Sequence, residues 1–230
     1  MSKRYGIFIV LALLLLAGCT SSSGNLMDNN TNNVNSPTVQ PAATNGATPA
    51  EATNSPAPTA AEITTAEHPR DAANAVMTAL SENDLDTLNR YIHGEKGILF
   101  SPYVAIDTST AVSFQKDALP GWDDDKVYEW GTLDGSGEPI SMTFQNYYQK
   151  FVYDQDFLKA DEIGWDEIKG SGNTIPNIED VFPGSFVADY HFNGFDAKNE
   201  GMDWESLILV LEEVDGSWYV SAIVHSQWTI

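Results

Sequence analysis

The chain predicts an α+β fold for its larger, C-terminal part, and three observations carry that prediction. Apolar residues recur at helical spacing between Pro69 and Ile92 and again between Ile140 and Phe151, and two apolar runs flank Asp215-Gly216 close to the C-terminus. Helical and strand periods occupy separate stretches rather than alternating along the chain, which is the pattern of helices segregated from an antiparallel sheet.

Taken in order, Ala72, Val76, Ala79 and Leu80 form the buried face of a first helix, with Pro69 tolerated in its opening turn. Asp84 is placed to cap a second, shorter helix that buries Leu85, Leu88 and Ile92. "EKGILFSPYVAID" reads as a loop entering a strand, punctuated by Gly97 and Pro102. "KVYEWGTLDGSGEPI" reads as a short aromatic strand followed by a glycine-rich turn from Asp134 to Gly137. Ile140, Phe144, Tyr147 and Phe151 share one helical face, so a third helix is expected over them, capped by Ser141 or Thr143.

The segment from Asp154 to Pro183 is polar and irregular. In "SFVADYHFNGF", Phe186, Ala188, Tyr190 and Phe192 alternate with Val187, Asp189, His191 and Asn193, the signature of a half-buried strand. Asp215-Gly216 between apolar runs favours a two-residue hairpin turn with positive φ at both positions. An unbroken ladder from that turn pairs Leu211 with Val220, Leu209 with Ala222 and Leu207 with Val224 on one face. The same face runs on to Glu205 with Ser226 and Asp203 with Trp228, while Ser206 faces His225 on the other.

The N-terminus is of another kind. Lys3 and Arg4 precede an apolar run from Ile7 to Ala17 that ends in Leu16-Ala17-Gly18-Cys19. A basic start, a short apolar stretch and small residues form a secretory signal over 1–18, and the run is too short to span a bilayer. The four-residue ending resembles the lipobox of bacterial lipoproteins. That resemblance implies cleavage before Cys19 and thioether acylation of its sulfur by a diacylglycerol carrying palmitate-like chains, which would be the membrane partner of the protein. Two or more acyl chains give stable anchoring where one does not. Cys19 is the single cysteine of the chain, so no intramolecular disulfide is possible.

Residues 19–65 read as a linker. After Cys19 they are nearly all Ser, Thr, Asn, Pro, Ala and Gly, with no Lys, Arg or aromatic residue. Such a stretch cannot bury enough apolar surface to offset the entropy of ordering it, and as a flexible chain it spans roughly 40 Å. The folded domain is expected over 66–230.

The formal charge is −22, and only Asp28, Glu51 and Glu62 among the acidic residues precede Ala66. A domain this anionic has no basic footprint for nucleic acid and is repelled by anionic lipid surfaces, while it permits cationic ligands or divalent metals.

Two helices, strands, a further helix and a long C-terminal hairpin resemble the order of the NTF2-like fold, a curved sheet wrapped over N-terminal helices to form a cone. "KGILFSPYVAID", "WGTLDGSGEPI", "KFVYDQDF", "GMDWESLILVLEE" and "WYVSAIVHSQWTI" are similar to a family of uncharacterised exported lipoproteins of Gram-positive bacteria. No activity comes with that likeness. The ketosteroid-isomerase-like and polyketide-cyclase members of the NTF2-like group use a carboxylate at the end of the cone as general base. The resemblance therefore implies Asp203, Glu205 or His225 as catalytic candidates if the domain is an enzyme.

Six tryptophans and nine tyrosines suggest a second use of such a pocket. Aromatic platforms hold sugars and quaternary amines, and Trp130, Tyr190, Trp204 and Trp228 are the candidate ligand-binding residues. A metal centre is not expected: His93, His191 and His225 share no helical i, i+4 spacing, and no H-E-x-x-H occurs. Asp123-Asp124-Asp125 and the Asp134–Glu138 turn do not match the twelve-residue calcium loop and read as solvated acidic loops. Neither a nucleophile elbow, a phosphate-binding loop nor a dinucleotide fingerprint is present, so no cofactor is expected. The expected function is thus a membrane-anchored, extracytoplasmic module that binds a small or envelope-derived ligand or a protein partner, with an NTF2-like isomerase, cyclase or hydrolase as the alternative.

Overall fold

A computed structural model describes residues 66–229. The expected signal over 1–18, the acylated Cys19 and the linker over 19–65 lie outside the described residues.

Two helices open the domain, α1 (Pro69–Ser81) and α2 (Leu85–Tyr91). The first buries Ala72, Ala73, Val76, Met77, Ala79 and Leu80, a wide apolar stripe with Pro69 in its first turn. The second begins where Asp84 Oδ1 accepts the Thr87 N–H at 2.9 Å, the expected cap.

The chain then forms β1 (Ile98–Ser101), β2 (Val112–Phe114), β3 (Val127–Thr132) and β4 (Pro139–Thr143), followed by α3 (Phe144–Phe151), β5 (Glu162–Trp165), α4 (Ile178–Val181), β6 (Phe186–Phe192), β7 (Glu205–Val214) and β8 (Ser217–Gln227). Six strands make one mixed sheet in the order β2-β1-β8-β7-β6-β5, and β3 and β4 pair separately. All neighbours in the large sheet are antiparallel except β1 and β8, which run parallel with Leu99 beside Ala222 and Ser101 beside Val224. The domain is thus α+β with a curved sheet, as the sequence predicts, but the sheet is mixed and not antiparallel throughout, because β1 joins β8 in parallel.

The helical expectation over Ile140–Phe151 is half right. Thr143 caps α3, its Oγ1 accepting the Asn146 N–H, but Ile140 lies in β4. Its spacing from Phe144 is helical by coincidence, because the residue before a helix and the residues in it fill the same core. The segment read as irregular holds β5, an edge strand too polar to show a period.

The hairpin turns where expected, with φ of +52° at Asp215 and +81° at Gly216. Its register departs from the unbroken ladder. Val214 to Leu211 pair with Ser217 to Val220 as expected, but Val210 pairs with Ala222, so Ser221 is an extra residue on β8. Ser221 donates to Glu212 and Ala222 packs beside Val210, which puts two successive β8 residues on one face. Beyond this bulge every pairing shifts by one: Leu209 meets Ile223, Leu207 meets His225, Ser206 meets Ser226 and Glu205 meets Gln227. A one-residue slip exchanges the two faces of a strand. Ile223 and His225 therefore join Glu205, Leu207 and Leu209, and Val224 leaves them.

Both faces of the central strands are covered. Leu207, Leu209, Leu211, Val220, Ile223, Ala188 and Tyr190 pack on α1, α3 and the first aromatic strands. Ile208, Val210, Ala222 and Val224 pack under Val104, Ile106, Ile178 and Phe182. Aromatic rings fill the space between helices and sheet. Phe100 meets Phe114, Trp130, Phe144 and Tyr147 edge-on, and Trp130 stacks on Tyr147 with centroids 3.9 Å apart.

Candidate functional site

The bulge in β8 builds the most chemically loaded place in the domain. His225 sits near the C-terminal end of β8, on the helix-facing side, diagonal to Glu205 at the start of β7. Its Nε2 lies 3.2 Å from Glu205 Oε1 and 3.4 Å from Asp154 Oδ2. Asp154 comes from the turn just after α3, and Phe151 at the end of that helix meets the His225 ring edge-on at 5.7 Å. The imidazole is 1% exposed, and the Glu205 and Asp154 side chains are 10% and 21% exposed. Gln155 Nε2 donates to Glu205 Oε2 at 3.5 Å.

Electrostatics follow from that burial. Loss of water by itself depresses the His225 pKa, but the Asp154 and Glu205 carboxylates override it and push it up to about 9. Burial raises the Glu205 pKa, and Asp154 beside it adds to the rise, while His225 opposes it. Two carboxylate groups thus face one imidazole nitrogen and favour its protonated form. A single Nε2–H cannot give both acceptors a straight hydrogen bond. Asp154 Oδ1 and His225 Nδ1 are buried with no hydrogen-bond partner among the described residues.

The sequence points to Glu205 and His225, and the structure brings these two together. It separates Asp203 from them. Asp203 Oδ2 accepts the Asp196 N–H at 2.8 Å and Asn199 Nδ2 at 2.9 Å, bonds that hold its carboxyl below the ordinary range and brace the loop before β7. The expected pairing of Asp203 with Trp228 does not form, since the Trp228 N–H donates to the Trp204 carbonyl at 3.4 Å. Asp154 is the member that sequence reasoning misses. One signal was available: a carboxylate just past a helix C-terminus is opposed by the helix dipole and calls for another partner.

His191 and His93 have local partners. His191 Nδ1 lies 2.8 Å from Ser206 Oγ, and His93 Nδ1 accepts the Glu95 and Lys96 N–H groups.

The second feature is a cleft of about 460 Å³ beside the small sheet. Ser101, Tyr103, Asp107 and Thr110 line one side, Trp130 to Gly135 and Gly137 the other, and Thr174 closes an end. The glycine-rich turn bends here with φ of +77° at Gly135 and +70° at Gly137, which glycine adopts without strain. Tyr103 Oη accepts the Asp134 N–H at 3.0 Å and ties the two walls together. Hydrogen bonds from Ser109 and Thr110 hold the Asp107 carboxyl below its ordinary pKa, so it stays anionic.

Of the four aromatic candidates, only Trp130 borders this cleft. Its indole is otherwise core, donating to the Met142 carbonyl at 2.9 Å. Tyr190 is also core, with its hydroxyl 3.3 Å from Asn74 Oδ1. Trp204 lies against Gly170 and Gly172, and Trp228 is half-buried at the end of β8.

Compared with family models, with curated proteins and with solved structures, the chain finds no match. Its chemistry is therefore read from this geometry.

Proposed function

We propose that the protein is an extracytoplasmic lipoprotein, held to the membrane through acylated Cys19, whose NTF2-like domain captures a small neutral or cationic envelope ligand in the cleft beside β3 and β4. The observation that carries the binding reading is the cleft itself. Its volume is in the range of small-molecule sites, roughly 300–1,000 Å³. Half-buried Tyr103, the Thr110 hydroxyl and anionic Asp107 are the mixture that suits a sugar or an amine and repels an anion. The order of two helices, strands, a helix and a long hairpin supports the NTF2-like reading, with the cone interior filled by core rings and the ligand placed to one side. General-base catalysis by Glu205 or His225 is the alternative use of the fold, but neither residue lines the cleft.

The experiment is a nitrogen–proton NMR titration with chitobiose, glucosamine and glucose 6-phosphate. Amides of 103–110 and 131–137 are expected to shift with the first two and not with the phosphate. Shifts confined to other surfaces, or equal shifts with the phosphate, would refute the binding reading. The anchor is tested separately by labelled palmitate, whose incorporation Cys19→Ala should abolish.

A further inference from the structure

We propose that Asp154, Glu205 and His225 form a divalent metal site, and that Zn²⁺ is the ion it fits. The site is distinct from the cleft and does not depend on it. Three ligand atoms, one nitrogen and two carboxylate oxygens, lie within 4.8 Å of one another. They arrive from three separate elements, the turn after α3 and the ends of β7 and β8, which is why no local spacing motif announces them.

The distances fit coordination better than hydrogen bonding. Charge-assisted N–H to carboxylate bonds settle at about 2.7–2.9 Å. The separations here are 3.2 and 3.4 Å. A tetrahedral zinc ion with bonds of about 2.0–2.2 Å holds its ligand atoms roughly 3.3 Å apart. The two distances from His225 Nε2 thus already match coordination, and the two carboxylate oxygens lie within 4.8 Å of each other. Asp154, the most exposed of the three, leaves a path from solvent and a direction for a water as fourth ligand.

Donor chemistry selects the metal. Calcium needs six to eight oxygens and magnesium an octahedral oxygen shell, whereas imidazole with carboxylates suits zinc, which binds such a set more tightly than manganese. The ion displaces the imidazole proton, and two carboxylates with a neutral imidazole then carry two negative charges, which one divalent ion cancels. Gln155 steadies Glu205 from outside the ligand set. His225 Nδ1 has no such partner among the described residues. Loss of an outer-shell bond weakens metal sites by about 10–100-fold, so a dissociation constant near micromolar is expected rather than the far tighter values of structural zinc sites.

The test uses the full chain with its single thiol alkylated, stripped with chelator and titrated calorimetrically with ZnCl₂ near neutral pH. One zinc per chain is expected. Asp154→Asn should weaken binding at least about 30-fold, while Asp203→Asn, a carboxylate braced in the neighbouring loop, should leave it unchanged. Zinc should also raise the melting temperature of the wild type and not of Asp154→Asn, whose own unliganded melting curve reports that it folds. Absence of zinc binding up to millimolar, equal binding by Asp154→Asn and wild type, or calcium binding as tightly as zinc would each overturn the proposal.

Discussion

Deletion of Ser221 should be tolerated, while deletion of Ile223, two residues along the same strand, should not. Ser221 is the extra residue of the β8 bulge, so removing it leaves Leu211 opposite Val220 and Val210 opposite Ala222, with every later pair intact. What is lost is the Ser221 hydrogen bond to Glu212, which Lys96 continues to hold. The cost is about 1–2 kcal/mol, near the lower end for a hydrogen bond to a charged group. Removing Ile223 instead, with the bulge kept at Ser221, moves Val224 and His225 across the sheet. Val224 replaces Ile223 at a cost of about 1 kcal/mol. His225 enters the apolar layer of Ile208, Val210 and Phe182 without a partner, costing about 2–3 kcal/mol. Asp154 and Glu205 are left as like charges with no cation between them, a loss of about 3–5 kcal/mol by analogy with broken buried ion pairs. Together these approach the whole stability of an ordinary domain, about 5–15 kcal/mol. Urea titrations followed by tryptophan fluorescence decide the matter. The Ser221 deletion should shift the midpoint by about 0.5–1 M at a slope of about 2 kcal/mol/M. The Ile223 deletion should show no cooperative transition. Equal damage from the two deletions, or greater damage from losing Ser221, refutes the bulge as the device that orients His225.

Two further expectations concern the opposite face of the sheet. A Cβ at Gly170 would stand 2.4 Å from the Trp204 ring, whereas at Gly172 it would stand at an ordinary 3.4 Å. Gly170→Ala should therefore destabilise by about 1–3 kcal/mol and lower the melting temperature by several degrees, with Gly172→Ala nearly silent; equal melting curves would contradict this. Asp189 is buried, its Oδ2 accepting the Lys169 N–H at 2.7 Å, and burial raises its carboxyl above the ordinary 3.8. The folded state then binds this proton more tightly than the unfolded chain, so ionisation costs stability as pH rises from 3.8 through the folded value. Relative to Asp189→Asn, the wild type should lose stability across that window, and a difference of opposite slope in urea midpoints would count against it.

The legible parts of this fold were those governed by local rules. Asp84 and Thr143 cap helices where capping chemistry places them, and Asp215-Gly216 turns where a tight hairpin needs positive φ. Ser221 was not legible, because a bulge has no composition of its own and an alternating strand reads the same with or without an extra residue. Glu205 and His225 stood out as polar residues in apolar runs, yet an unbroken ladder sets them on opposite faces. Asp154 was hidden for another reason: its partners are far away in sequence, and only the tertiary fold brings them within 4.8 Å. The aromatic residues were misleading in the opposite sense, since rings such as Trp130 and Tyr190 serve a crowded core as readily as a ligand.

The position of β8 has a consequence for how the molecule comes into being. It comes last in chain order among the described strands, yet it lies in the middle of the sheet, between β7 and the parallel β1. Trp218 also donates its N–H to the Ala66 carbonyl, and His93 donates to Val220, so the earliest part of the domain is fastened to the latest. Closing such distant pairings carries the loop entropy of most of the domain and makes assembly slow. The domain's sheet therefore cannot close around its centre until β8 has joined β1 and β7.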